Sequence, residues 1–360
     1  MTRNKGRVFR VVIATLALGA MQQTVVTAAP AQGPCPAGTT WVRPSSGSTL
    51  PDGGTMNQYN IHGETHEVPV PPVGFSPMTA SDASLESYGM PPRPTDAAGL
   101  SAWKADMANW RRTPDRGLCE TPYRSDASKA ATTASDDTQA AQLSLNWAGY
   151  VIDTTSNAYI AVQGDFTQPT VKDTVCTTET EASWTGLGGF NTARLIQTGT
   201  AYLRGSTTPV AWYEYLGANG AGINLTTMPS VTVHKGDRIH TYVVIQTSTG
   251  KTTFYVADNT TGTSQSVIKT LSVGTYYDGS STDFIDERLS VGGTIQTLYD
   301  FTNVAWTNTK VQNTAGTWST LGSHTEVAVD MVNVVDHDIL AAPAAMSSTT
   351  TFLDDYKQCG

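Results

Sequence analysis

Alternating apolar and polar positions dominate the chain after residue 143. Short runs rich in β-branched and aromatic residues recur there, with turn residues between them and almost no helical periodicity. In one such run, Ile239, Val243 and Ile245 fall on one face while His240 falls on the other. Because each sheet must bury one face, this pattern predicts an all-β fold, a two-sheet antiparallel β-sandwich of lectin or jelly-roll type.

The first residues have the pattern of an export signal. A basic head precedes an apolar run over residues 11–20, and small residues follow around Ala28. The apolar run is shorter than the roughly 18 residues that a membrane span needs, although a membrane anchor is the alternative interpretation. We therefore expect a signal peptide over residues 1–29, a secreted (extracellular) protein and no membrane partner.

Residues 30–143 are rich in Pro, Gly, Ser, Thr and Ala, a composition that favours turns and extended chain. Within them Trp103, Met107 and Trp110 recur at helical spacing, which predicts one amphipathic helix over about residues 101–112. An apolar stripe on a lone helix needs a surface to cover it. The region is either a removable prosegment that packs on the following domain or an ordinary N-terminal subdomain.

The predicted boundaries follow from these changes in composition. Residues 125–142 form a Ser-, Thr-, Ala- and Asp-rich stretch that we interpret as a linker, where processing is expected. The chain is thus divided into a signal peptide (residues 1–29), a prosegment with linker (residues 30–143) and a β-sandwich domain (residues 144–360).

The net charge of −9 is carried by the β-sandwich domain. A nucleic-acid partner is excluded on this basis, because such proteins need a basic face to neutralise phosphates. For a basic run at Arg111, Arg112 and Arg116 in the prosegment, the hypothesis is that it docks on the acidic domain and is released as the carboxylates there become protonated.

Four widely spaced cysteines without a CxxC pair suit disulfides outside the cytosol and no zinc site. Four cysteines allow three pairings. Their positions favour Cys35 with Cys119 and Cys176 with Cys359, and we expect no metal or other cofactor.

Several hydrolase signatures are missing from the sequence, including GxSxG, HExxH and the paired Asp-Ser/Thr-Gly motif. The remaining candidates for catalysis are polar side chains inside strand-like apolar runs, namely Gln197, Glu214 and Glu287. Peptide hydrolysis needs a base, an acid and a donor for the oxyanion. A carboxyl group supplies the first two, and a Gln amide supplies the third without ever titrating, which suits acid.

Five short motifs resemble, in order, those of the glutamic peptidases, also called eqolisins. They are residues 146–150, 183–188, 195–199, 211–215 and 282–288. The resemblance covers about residues 144–310. It implies an acid-acting endopeptidase of polypeptides in which Gln197 polarises the scissile carbonyl group and Glu287 acts as general base and acid. It also implies that Trp184, Trp212 and Glu214 bind substrate in the cleft.

Two positions depart from the family pattern, because Gly188 stands where Asp is usual and Asp286 where an apolar residue is usual. Each site residue also has a structural alternative: Gln197 as a strand residue bonded to backbone, Glu287 in an ion pair with Arg288 or Arg238, and the tryptophans as core.

Other functions stay open on the sequence alone: a carbohydrate-binding β-sandwich, a glycoside hydrolase using Glu214 and Glu287, or an inactive eqolisin-like binding protein. For the peptidase we expect a monomer whose own prosegment acts as inhibitor.

Overall fold

The computed structural model describes residues 34–129, 141–154, 158–172 and 178–360. The predicted signal peptide lies outside these residues. Within the described ranges, no helix combines the length and the apolar character needed to cross a membrane. Residues 34–360 form one unit.

The N-terminal part, residues 34–129, contains short strands and two helices. They are β1 (Thr40–Val42), β2 (Ser46–Thr49), β3 (Thr55–Ile61), β4 (Glu64–Val70), α1 (Asp82–Ser87), α2 (Ala97–Ala108), β5 (Leu118–Glu120) and β6 (Tyr123–Arg124). Helix α2 lies about four residues earlier than the spacing predicts. Asp96 caps it, because its Oδ1 accepts the Gly99 backbone N–H at 2.6 Å, and it ends before Asn109.

The rest of the described chain is built from strands, with two single 3₁₀ turns at Ala218–Gly220 and Leu321–Ser323. The strands are β7 (Gln142–Ser144), β8 (Trp147–Asp153), β9 (Tyr159–Thr167), β10 (Val171–Lys172), β11 (Glu179–Gly188), β12 (Leu195–Tyr202), β13 (Val210–Leu216), β14 (Thr226–Thr227), β15 (Arg238–Gln246), β16 (Lys251–Asp258), β17 (Thr263–Thr270), β18 (Ser281–Glu287), β19 (Ser290–Val291), β20 (Thr294–Ile295), β21 (Thr297–Leu298), β22 (Asp300–Phe301), β23 (Val304–Asn313), β24 (Trp318–Thr320), β25 (Val327–Val332), β26 (Ile339–Pro343) and β27 (Phe352–Tyr356).

The long strands form two antiparallel layers. One layer, the groove sheet, has the order β13-β12-β11-β18-β8-β25. The other, the back sheet, has the order β17-β16-β15-β9-β23-β27. Strand β26 pairs with β25 and with β27 and so joins the layers at one edge. The predicted all-β, two-sheet antiparallel sandwich is confirmed.

Strand periodicity decides which side chains fill the space between the sheets. On β18, Phe284 packs into this core and contacts Trp306 of the back sheet, with ring centroids 6.0 Å apart. Ile285 belongs to a second cluster on the outer face of the groove sheet. Because alternate residues of a strand point to opposite faces, Glu287 lies on the same outer face as Ile285.

The N-terminal part covers the outer face of the back sheet. Trp103 and Met107 of α2 form an apolar cluster there with Tyr242 and Tyr255. Burying such side chains stabilises the contact by about 1.5–3 kcal/mol each. The predicted apolar stripe therefore has the surface it needs.

Among the described residues, two ion pairs join the N-terminal part to the sandwich: Asp106 to Arg238, at 2.6 Å, and Glu64 to Lys269, at 3.2 Å. In both pairs the acidic residue belongs to the N-terminal part and the basic residue to the sandwich. The basic run predicted the opposite distribution of charges across this contact. Of that run, Arg112 donates instead to the Pro71 carbonyl oxygen at 2.7 Å.

The predicted disulfide between Cys35 and Cys119 is confirmed, and it ties the start of the described chain to β5. Cys359 is also disulfide-bonded. Its predicted partner, Cys176, lies outside the described residues, so that pairing stays a prediction.

Candidate active site

Three neighbouring strands bring four of the five sequence-predicted side chains onto the outer face of the groove sheet, and β18 brings the fifth, Glu287. Gln197 on β12 lies directly opposite Glu214 on β13, and Trp184 on β11 faces Trp212 on β13 across Gly199 of β12. A Cβ atom at Gly199 would come within 2.6 Å of the Trp184 Cβ atom. Only glycine lets the two tryptophans share this row of the sheet.

Glu287, at the end of β18, is fully buried, and both of its carboxyl oxygens have partners. Oε2 accepts hydrogen bonds from the Ser125 hydroxyl group and, at 3.0 Å, from the Trp184 indole N–H. Oε1 accepts from the Asp126 backbone N–H at 3.1 Å and from the Asn146 amide at 3.0 Å. Burial raises the pKa of Glu287 to about 8, although the bonds from Ser125, Asp126 and Asn146 oppose the shift.

Glu214 is the partner of Gln197. The Gln197 Nε2 donates to Glu214 Oε2 at 2.8 Å, and the Ser125 backbone N–H reaches the same oxygen at 3.2 Å. Burial holds the pKa of Glu214 well above its ordinary range, and the nearby Arg124 acts in the opposite direction. The Gln197 Oε1 and the Glu214 Oε1 have no hydrogen-bond partner among the described residues.

The last described stretch of the N-terminal part, residues 121–129, runs across this face, and we name it the groove segment. Its strand β6 pairs with β19, the Tyr123 carbonyl oxygen accepts from the Leu225 N–H at 3.0 Å, and the Ser128 N–H donates to the Gly189 carbonyl oxygen at 3.0 Å. Ser125, fully buried, bridges Glu287 through its hydroxyl group and Glu214 through its backbone N–H. Ser125 thus connects the Glu287 carboxyl group with the carboxyl group that holds Gln197.

The structural alternatives for Glu287 do not match these contacts. The Arg288 guanidinium donates to the carbonyl oxygens of Leu145, at 2.7 Å, and Val332, at 3.2 Å. Arg238 pairs with Asp106. Glu287 is therefore held by neutral donors, and not by an arginine.

Gln197 is held by the Glu214 side chain and not by backbone. Trp184 and Trp212 are both fully buried. Trp184 packs edge-on against Trp147, with ring centroids 4.9 Å apart, and also donates to Glu287, whereas the Trp212 indole N–H has no partner among the described residues. Trp184 is therefore both a core residue, through its packing on Trp147, and a hydrogen-bond donor to Glu287.

The two departures from the family pattern have local explanations. Asp286 points to the core face, where its carboxyl oxygens accept from the Ser183 hydroxyl at 2.5 Å and the Trp306 indole at 3.3 Å. Burial raises the pKa of Asp286 to about 6. Gly188 has a φ of +89°, and a Cβ atom there would collide with the Arg194 carbonyl oxygen, so this backbone does not accept an aspartate.

Sequence reasoning missed three residues that touch Glu287. Asn146 carries a recognisable signal, because it is an amide at the start of an apolar strand and lies within a family motif. Ser125 and Asp126 carry none, since they lie in a stretch of mixed polar composition that predicts only a linker.

Among the described residues, two groups could each offer three ligand atoms to a metal ion, and neither includes a side chain of the groove. They are Asp106, Asp165 and His240 at the α2 contact, and His234, Asp237 and Asp258. In the first group the Asp165 carboxylate already contacts the His240 ring at 2.5 Å. Polar contacts between α2 and the back sheet explain why these three side chains lie together, and no metal is needed to explain it.

One protein family and several solved structures are similar to this chain. Residues 145–352 match the Peptidase A4 family. Scytalido-glutamic peptidase, solved with a peptide-based transition-state analogue, is 18% identical and covers 59% of this chain and 98% of its own, with a TM-score of 0.49. Aspergilloglutamic peptidase from Aspergillus niger is 21% identical and covers 50% of this chain and 99% of its own, with a TM-score of 0.42. No curated protein matches.

The family match spans more than half of the chain and includes all five motifs and every side chain predicted for the site. The chain therefore belongs to the Peptidase A4 family, the glutamic peptidases or eqolisins, and is a glutamic-type endopeptidase.

Proposed function

We propose that this protein is a secreted endopeptidase that works in acid and hydrolyses polypeptides with Glu287 and Gln197. The observation that carries the proposal is Ser125, whose hydroxyl group meets Glu287 while its backbone N–H meets the carboxylate that holds Gln197. A stretch of polypeptide already occupies the space where a substrate would bind.

In the proposed reaction Glu287 takes a proton from water, and the water oxygen attacks the carbonyl carbon of the scissile bond. The carbonyl oxygen becomes an oxyanion, which accepts a hydrogen bond from the Gln197 amide. Only one of the two Nε2 hydrogens is needed for Glu214, so the other is available for this role. Glu287 then returns its proton to the leaving nitrogen, and the C–N bond breaks.

Glu214, Trp184 and Trp212 are assigned supporting roles in substrate binding. Glu214 holds the Gln197 amide in place by accepting a hydrogen bond from its Nε2 atom. Trp184 donates to Glu287, and the unpartnered indole N–H of Trp212 is available to a substrate carbonyl oxygen.

Export is supported by the leader pattern over residues 1–29 together with the disulfide between Cys35 and Cys119, since disulfides persist outside the cytosol. Action in acid is supported by the chemistry of the pair. An amide does not titrate and a carboxyl group can still lose its proton in acid, whereas a histidine base would be permanently charged there.

The N-terminal part is proposed to be a prosegment that inhibits the enzyme. The groove segment buries Glu287, and burial holds the pKa of this carboxyl group at about 8, whereas water in an open groove would return it toward its ordinary value. Binding of the proton and binding of the segment therefore favour each other. Lowering the pH alone strengthens the closed form, so activation requires that the chain be cut.

The test compares the parent with Glu287→Gln and Gln197→Ala on denatured casein in acid, with pepstatin present. We expect Glu287→Gln to lower the rate at least about 10²- to 10⁴-fold, because the base and the acid are lost together. Gln197→Ala removes one oxyanion donor and should cost about 10²- to 10³-fold.

Circular dichroism and thermal unfolding of both variants establish that the fold is retained. Cleavage by Glu287→Gln at the parental rate would refute the proposal. A parent that binds peptide without cutting it would identify an inactive member of the family, and binding of polysaccharide instead of peptide would favour the carbohydrate-binding alternative.

A further inference from the structure

The Asn146 side chain lies between the Glu287 carboxyl group and the main chain of the groove segment. Its Nδ2 donates to Glu287 Oε1 at 3.0 Å and to the Asp126 carbonyl oxygen at 3.2 Å, and its Oδ1 accepts from the Lys129 N–H at 2.9 Å. It is fully buried.

Chemistry fixes which way this amide is oriented. The Lys129 backbone N–H can only donate, and the Asp126 carbonyl oxygen can only accept. Exchanging the oxygen and nitrogen of Asn146 would break both bonds. The Ser144 hydroxyl group reinforces the assignment by donating to Oδ1 at 3.2 Å.

Glu287 accepts hydrogen bonds from two sets of donors. One set belongs to the groove segment and is lost when that segment is displaced, and the other belongs to the sandwich and stays. Ser125 and Asp126 belong to that segment. Among the described donors, Trp184 then remains on Oε2 and Asn146 on Oε1. Each carboxyl oxygen thus keeps one N–H donor from the body of the enzyme.

We propose that Asn146 is a positioning residue of the reaction, whose amide orients the Glu287 carboxyl group and binds the main chain of the polypeptide in the groove. This inference rests on the proposed function. The Trp147 indole supports the main-chain role, because it donates to the same Asp126 carbonyl oxygen at 2.9 Å.

The charged groups around Glu287 show why the hydrogen bond from Asn146 is important for the ionisation of Glu287. The charged groups that face it are Asp126 on the groove segment and Glu214 on β13, both acidic, with Arg124 beside Glu214. Asp286 points to the other face of β18, and Arg288 is bonded to carbonyl oxygens. Neutral donors therefore supply the direct stabilisation of an ionised Glu287.

The test is Asn146→Asp in an enzyme produced as the full chain and then activated by cleavage in the linker, with kcat and KM for a peptide substrate measured across the acid range. This change keeps the acceptors for Lys129 and Ser144 but removes the donor to Glu287. We expect kcat to fall about 10- to 100-fold and KM to rise, because a hydrogen bond to a charged group and a main-chain contact are lost. The acid limb of kcat/KM should move to higher pH, since Glu287 becomes harder to ionise.

The matched control is Asn191→Ala, which removes another amide that donates to a carboxylate, Asp153, at 2.9 Å on the exposed rim. It should behave like the parent. An Asn146→Asp enzyme with unchanged kcat and an unmoved acid limb overturns the inference, even if its melting temperature falls. Activity in Glu287→Gln, measured in the same series, would instead refute the proposed function.

Discussion

The N-terminal part covers the outer faces of both sheets, and it does so by different means. On the back sheet, helix α2 buries Trp103 and Met107 against tyrosines, with the ion pair between Asp106 and Arg238 at its side. On the groove sheet, the contact is made by main-chain hydrogen bonds, as between β6 and β19, and by hydrogen bonds to the buried carboxyl groups of Glu287 and Glu214.

The difference shows how one chain can combine a firm attachment with an exchangeable one. Apolar burial is non-directional and scarcely depends on pH. Hydrogen bonds to a carboxyl group depend on its protonation, and water or a second peptide can replace them. The contact of α2 with the back sheet is thus suited to anchoring the N-terminal part, and the groove segment is suited to being displaced after cleavage.

The largest expected effect comes from breaking the apolar cover. Trp103→Ala should lower the free energy of unfolding by about 3–5 kcal/mol, because it removes a large buried ring and leaves a cavity. Urea unfolding of the full chain at acid pH measures this loss. Val73→Ala, at a side chain that is 89% exposed, should leave stability unchanged. A loss below about 1 kcal/mol for Trp103→Ala would mean that apolar burial does not anchor this cover.

A second, smaller effect is the dependence of stability on pH. Burial raises the pKa of Asp286 from 3.8 to about 6 in the folded protein. Below the unfolded value both states are protonated and stability is full. As the pH rises, the unfolded chain releases its proton first, so the free energy of unfolding falls until the pH passes about 6. The loss is on the order of a few kcal/mol.

Unfolding of the parent and of Asp286→Asn, measured over this pH range, tests whether the free energy of unfolding falls as the pH rises. The variant keeps an oxygen that can accept from Ser183 but cannot ionise, so its stability should decline less steeply. Parallel curves for the two proteins would exclude Asp286 as the group responsible.

The smallest effect concerns the groove segment itself. Ser125→Ala removes the hydroxyl contact with Glu287, worth about 1 kcal/mol, so the uncut chain should cleave a short peptide several-fold faster. Initial rates before processing give the measurement. Ser87→Ala is the control, since that hydroxyl donates to the Ser84 carbonyl oxygen at 2.8 Å within α1 and does not contact the groove. Equal rates for the two variants would show that Ser125 does not hold the segment closed.

Local pattern was sufficient for much of the fold and for part of the site. The alternation in β15 predicted a strand with one buried face, and the motif order predicted that Gln197 and Glu287 belong together. The start of α2 was misplaced because the capping bond of Asp96 outweighed the apolar stripe. The basic run was misread because charge composition does not say which residues meet across a contact.

By itself the sequence determined the strand periods, and with them the fact that Asp286 and Glu287 face opposite sides of β18. It also determined the family, through five motifs in order. Only the tertiary structure decided that Ser125 meets Glu287, from which it is separated by 162 residues, and that Asn146 stands between this carboxyl group and the groove segment. Periodicity acts between neighbours along the chain, whereas these contacts arise only when distant strands and the groove segment are packed side by side.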